Sequence, residues 1–175
     1  MVNYRMGAGT PVGTDDFVAI QRLVHRYAEA VVLRDDEQWG SCWAEDATWD
    51  LGPGRMVHGR AAIVELWRSA MAGMAAVVQM VHNGDARTDP ADPADRNRAV
   101  GRWFIDERYR RADGEPGILL AHYDDTYVRG ADGDSEPEWR FSSRFLQKHY
   151  QGAVDLSGAF LNTAEALTAR AGARA

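Results

Sequence analysis

Near residue 74 the spacing of apolar residues changes, and that change limits the kind of fold this 175-residue chain can adopt. Before it, apolar residues recur every three or four positions, the period of a helix with one buried face. Beyond it they alternate, the period of a strand. Helical segments followed by a run of strands predict an α+β domain rather than repeated βα units.

The first helix is expected over DDFVAIQRLVHRYAEAVVLRD, with Thr14, Asp15 and Asp16 supplying cap chemistry. Phe17, Ile20, Leu23, Val24, Tyr27, Ala28 and Val31 form its apolar stripe, and Arg22, Arg26 and Glu29 face away. Asp35 or Asp36 caps a short second helix carrying Trp39 and Trp43. ATWDL reads as a short strand closed by Gly52, Pro53 and Gly54, and RAAIVELWRSAMAGM as a third helix.

Four alternating segments follow: VVQMVHNGDART, RAVGRWFIDERYRR, ILLAHYDDTYVR and WRFSSRFLQKHY. In the second, Trp103, Ile105, Glu107 and Tyr109 share one face and Arg102, Phe104, Asp106 and Arg108 the other. Residues 1–13 read as a Gly-rich arm, 14–152 as one domain, and 153–175 as a tail able to form a short helix.

A net charge of -6 argues against nucleic acid, which a clustered basic face binds. The single cysteine, Cys42, excludes an internal disulfide and a cysteine-rich metal site. No window approaches the roughly twenty apolar residues of a membrane span, and the first residues lack the apolar run of a signal peptide. A cytoplasmic protein with no membrane association is expected. His25, His58, His122 and His149 lack metal-ligand spacing, so no metal is expected. His122, beside Tyr123 in a strand, is the one kept in reserve. No phosphate-binding glycine loop and no nucleophile elbow occur.

Several phrases in this order, AIQRLVHRYAEA, WAEDATWDLG, HGRAAIVELW, His82 after a hydrophobic strand, GRWFIDE, YDDTYVR and WRFSSR, resemble the SnoaL-like branch of the nuclear-transport-factor-like superfamily over roughly residues 15–150. The resemblance implies a cone-shaped α+β barrel, with three N-terminal helices packed in the concave face of a curved, mainly antiparallel sheet. It also implies a deep pocket for a small hydrophobic ligand, no cofactor, and a homo-oligomer, dimer or trimer, formed through convex sheet faces. Its enzymes include dehydratases, a dehydrochlorinase, ketosteroid isomerases, polyketide cyclases and epoxide hydrolases.

In the dehydratase-like members a His abstracts a proton and an Asp orients the imidazole, which is general-base chemistry. His82 matches that His, at a strand end facing a closed pocket. The Asp position is Val32, which can neither orient a His nor accept its second proton. Asp35, Asp36, Glu107 and Asp125 are the carboxylates that are candidates to replace it. Glu107 ranks first, because a carboxyl among aromatics has a raised pKa. Asp125 shares a face with Tyr123 and Tyr127 and is placed to hold His82 from the sheet. Tyr27 matches a family Tyr that polarises substrate. Arg144 matches an Arg that reaches the pocket in some relatives, although regular alternation puts it opposite Trp139 and Phe141, so that role requires a bulge or a two-sided strand. Trp43, Trp49, Trp67 and Trp103 are expected as pocket walls.

The leading expectation is a lyase of dehydratase type acting on a ring-containing metabolite, with isomerase or polyketide-type cyclase chemistry in the same pocket as the alternative. A non-catalytic small-molecule-binding module is the reading from another class, and the loss at Val32 points that way. The small subunit of a ring-hydroxylating oxygenase shares the fold, but the charged strand face of Arg102, Asp106 and Arg108 fits it less well.

Overall fold

The computed structural model describes residues 9–130 and 138–163. Three helices, α1 (Thr14–Leu33), α2 (Asp36–Ser41) and α3 (Arg60–Ala72), pack against a six-stranded sheet. Its strands are β1 (Trp43–Asp50), β2 (Met56–His58), β3 (Met74–Thr88), β4 (Arg98–Arg111), β5 (Pro116–Arg129) and β6 (Trp139–Gly152). Their order is β2-β1-β6-β5-β4-β3. All neighbours are antiparallel except β1 and β6, which run parallel. This is the α+β cone expected, with β3 at one edge of an unclosed sheet.

α1 buries Ile20, Leu23, Val24, Tyr27, Ala28, Ala30 and Val31, the stripe that helical spacing predicts with Ala30 added and Phe17 only half-buried. Its cap differs from expectation. Gly13 is the N-cap and gives no side-chain hydrogen bond. Asp16 is drawn instead across to the sheet, where its carboxylate accepts from Arg129 and from the Trp139 indole at 3.1 Å. Asp35 caps α2 by accepting from the Gln38 N–H at 2.8 Å, and Asp36 pairs with Arg68.

One end of the cone is filled with aromatic rings. Trp39 of α2 stacks on Trp67 of α3 at 4.9 Å and touches Trp43 and Trp49 of β1 at 5.3 and 5.4 Å. Tyr27 and Phe141 continue the cluster. Such ring contacts add to the large area these side chains bury.

The described part of the N-terminal arm is docked on β3, with Pro11 bridging Arg87 and Thr88 N–H donating to the Thr10 carbonyl at 2.9 Å. The tail from 153 to 163 holds no helix. Its later part, residues 1–8, and most of the acidic turn before β6 lie outside the described residues. Among the described residues no helix is long and apolar enough to cross a membrane.

Candidate functional site

The site begins with a register shift in β6. Tyr127 faces Phe141 and Thr126 faces Ser143, which leaves Ser142 as an extra residue with no partner position on β5. An inserted residue turns the side chains that follow it to the other face of the strand, until any further shift. Trp139 and Phe141 point toward α1, and beyond the bulge Arg144 points there as well, opposite Asp125.

Arg144 and Asp125 are 1% and 0% exposed. Arg144 Nε and Nη2 donate to the two carboxylate oxygens of Asp125 at 2.8 and 3.0 Å, a bidentate pair. Asp125 also accepts from the Tyr127 hydroxyl at 3.0 Å, which in turn accepts from the Trp103 indole at 3.0 Å. The guanidinium carbon lies 3.9–4.2 Å from the ring centres of Tyr123, Phe141 and Tyr27, and Nη1 has no hydrogen-bond partner. The cation is thus tied on one side to a carboxylate and caged on the other by π faces. Burial works against its charge, but the groups around it, the Asp125 carboxylate foremost, together more than offset burial and keep Arg144 protonated.

Around this pair burial raises the pKa of the other titratable groups. Burial pushes the Tyr27 phenol up to about 12, against the downward pull of Arg144. Burial also carries Tyr123 well above the ordinary phenol value. Glu107 sits on β4 with Ile105 and Tyr109 on its face. Burial raises its carboxyl, and a 2.8 Å hydrogen bond from Gln79 Nε2 to Oε2 draws it partly back. The Glu107 charge in turn raises both tyrosines, so the four groups share one neighbourhood.

His82 stands apart. Val81 pairs with Ile105 and Gly84 with Trp103, so three residues of β3 span the distance of two on β4. His82 falls in this bulge of the edge strand. It is exposed and has no hydrogen-bond or ion-pair partner among the described residues. Next to the bulge, a Cβ on Gly84 would meet the Trp103 ring at 2.2 Å, so only glycine lets the indole lie against β3.

These features sit on a chain whose residues 14–145 match the model of the SnoaL-like domain. The protein belongs to the SnoaL-like family. Solved structures agree on the fold. A candidate scytalone dehydratase from Novosphingobium aromaticivorans aligns with a TM-score of 0.68 at 20% identity, covering 84% of this chain and 93% of that one. A candidate aromatic ring hydroxylase from the same organism aligns at 0.70 and 22%, covering 84% and 99%. The hexachlorocyclohexane dehydrochlorinase LinA-type3 from Novosphingobium barchaimii aligns at 0.67 and 19%, covering 82% and 91%. At these identities the likeness establishes the fold alone. No curated protein is significantly similar in sequence.

Within this SnoaL-like protein the residues singled out by sequence divide into groups. Tyr27, Tyr123, Asp125, Arg144 and Trp103 come together beneath α1, with Glu107 beside them. Trp43, Trp49 and Trp67 all pack around Trp39 in the aromatic end of the cone. Val32 is 39% exposed near the end of α1.

Two local expectations are corrected. Asp125 does not hold His82, because both its oxygens are taken by Arg144 and Tyr127. His82 is not at a strand end facing a closed pocket but at a mid-strand bulge open to solvent. His122 lies on the convex face, its Nδ1 2.8 Å from His149 Nε2 and its Nε2 3.6 Å from Asp124. Gln79 escaped sequence reasoning altogether. Its signal was a polar residue on the face shared by Val77 and Val81. Among the described residues no three or more His, Cys, Asp or Glu side chains converge as a metal site.

Proposed function

We propose that this SnoaL-like protein is a lyase that eliminates water or a similar leaving group from a small, hydrophobic, ring-containing oxygenated metabolite without a cofactor. The observation that carries the reading is the grouping of two buried phenols, Tyr27 and Tyr123, and the half-buried Glu107, whose carboxyl burial raises, beside the caged Arg144 cation. Such a set suits a carbonyl oxygen on which negative charge develops. His82, accessible and unpartnered, is the base that removes the adjacent proton, while Tyr27 polarises the carbonyl. Glu107 assists the leaving group, and Arg144 supplies the positive field. Isomerisation or cyclisation through the same enolate is the alternative outcome with the same groups.

The test is a screen of cyclic hydroxy-ketones for loss of water, followed by kcat/KM for His82→Ala and Tyr27→Phe. Turnover by the wild type that both variants lose supports the lyase reading, and unchanged turnover in His82→Ala sinks the general-base assignment.

A second reading, a binding module without catalysis, draws support from Val32 and from a His82 that no carboxylate orients. It predicts saturable binding of the same compounds with no product formed.

A further inference from the structure

One polar pair on the concave face has no counterpart in the roles assigned from sequence. Gln79 and Glu107 face each other directly across the β3–β4 ladder, flanked by the apolar pairs Val77–Tyr109 and Val81–Ile105. Gln79 is 5% exposed. A primary amide buried among apolar side chains costs stability unless its hydrogen bonds are made, so its place there calls for a partner. Glu107 Oε2 is that partner at 2.8 Å.

The hydrogen bond has a direction. The amide N–H donates, so Oε2 must accept, and a proton on the carboxyl is left to Oε1. Glu107 is only half-buried, and Oε1 is not among the sealed polar atoms that lack a partner. One carboxyl oxygen is therefore held by the protein, and the other makes no hydrogen bond among the described residues. A glutamate without Gln79 could place its proton on either oxygen and turn its carboxyl plane freely.

We propose that Gln79 is a positioning residue that makes Glu107 a general acid, with its proton on Oε1 aimed at an oxygen atom of the bound ligand. The proposal rests on the lyase reading and narrows its substrate to a β-hydroxy carbonyl compound bound with its hydroxyl toward Glu107. In the step, His82 takes the proton from the carbon next to the carbonyl. The electron pair of that C–H bond forms the new C=C bond, and the C–O bond breaks. The departing hydroxyl takes the Oε1 proton and leaves as water. Glu107 is left as a carboxylate stabilised by the Gln79 N–H. His82 returns its proton to solvent and Glu107 regains one, so atoms and charge balance over the cycle. Because the hydrogen bond favours the ionised form, it also sets the pH above which the acid is spent.

The experiment is a pH titration of the intact chain by NMR, with the Glu side-chain carboxyl carbons labelled with 13C and the Glu107 signal identified by its loss in Glu107→Gln. Glu107 is expected to titrate above the other glutamates, and in Gln79→Met its midpoint should rise further, by about one to two pH units. Gln79→Leu provides the same test if the Met variant does not fold. With a β-hydroxy ketone substrate, the alkaline limb of kcat/KM should move up by the same amount in Gln79→Met and vanish in Glu107→Gln. A Glu107 midpoint that does not move in either Gln79 variant overturns the positioning role. A midpoint that moves while the alkaline limb stays in place overturns the acid role. The titration uses no substrate, so a wild-type protein that shows the shift but turns nothing over would refute the lyase reading while leaving the Gln79–Glu107 pair intact.

Discussion

Arg144 and Asp125 meet through two hydrogen bonds because Ser142 adds one residue to β6 and none to β5. That insertion brings a cation to the concave face at a position where regular alternation would have pointed it outward.

Breaking the pair from one side should be costly. Asp125→Ala leaves a buried guanidinium without its counter-charge and is expected to lose about 3–5 kcal/mol, read by urea unfolding. The double variant Asp125→Leu with Arg144→Met should recover much of that loss. A double variant less stable than Asp125→Ala would show that the pair is not governed by charge burial.

Deleting Ser142 should be worse than changing it. Without the extra residue, Arg144 is sent to the convex face and the apolar face of the following segment is inverted. The deletion is expected to abolish the near-UV circular dichroism of the packed aromatics, whereas Ser142→Thr, which keeps the register, should leave it in place.

His82→Ala should separate activity from stability. The side chain is exposed and makes no polar contact among the described residues, so unfolding free energy should change by no more than about 0.5 kcal/mol. Turnover of an elimination substrate should fall by roughly two to four orders of magnitude if the imidazole is the base. Thermal melting and initial rates on the same preparation check both halves.

Glu107 makes stability depend on pH in a direction that can be tested. Its pKa is raised on folding, so the folded state prefers the protonated form. The stability this contributes is present below the unfolded-state pKa and is lost as pH rises through the folded one. Glu107→Gln stays neutral throughout. The variant should therefore be more stable than the wild type at pH 7, with the gap closing by pH 4. Urea midpoints across that range that keep a constant gap would contradict the burial of this carboxyl.

Much of this architecture could be read from the chain because its elements are long and strongly periodic. The stripe on α1 and the whole of β4 follow directly from their apolar spacing. Met56–His58 is too short to give a periodic signal, and β2 was not foreseen. Asp16 looked like a capping residue because its partners, Arg129 and Trp139, lie more than a hundred positions away.

The polar constellation was half legible. Tyr27, Glu107, Asp125 and Arg144 were all named from sequence, but their pairing depended on two bulges that no single strand reveals. One gives Asp125 to Arg144, and the other leaves His82 exposed on the edge strand. Gln79 became visible only once the β3–β4 register set it opposite Glu107.

The parallel pairing of β1 with β6 also sets an order of events during synthesis. Residues 43–50 emerge early, with the tryptophans that close the aromatic end of the cone, yet their parallel sheet partner is β6, the last strand among the described residues. β1 must wait for its sheet partner until β6 has left the ribosome. Long-range pairing of this kind is slow to form and leaves apolar surface open meanwhile. A nascent chain stalled before residue 139 should therefore present its tryptophan-rich first third to chaperones, and release of β6 should withdraw it.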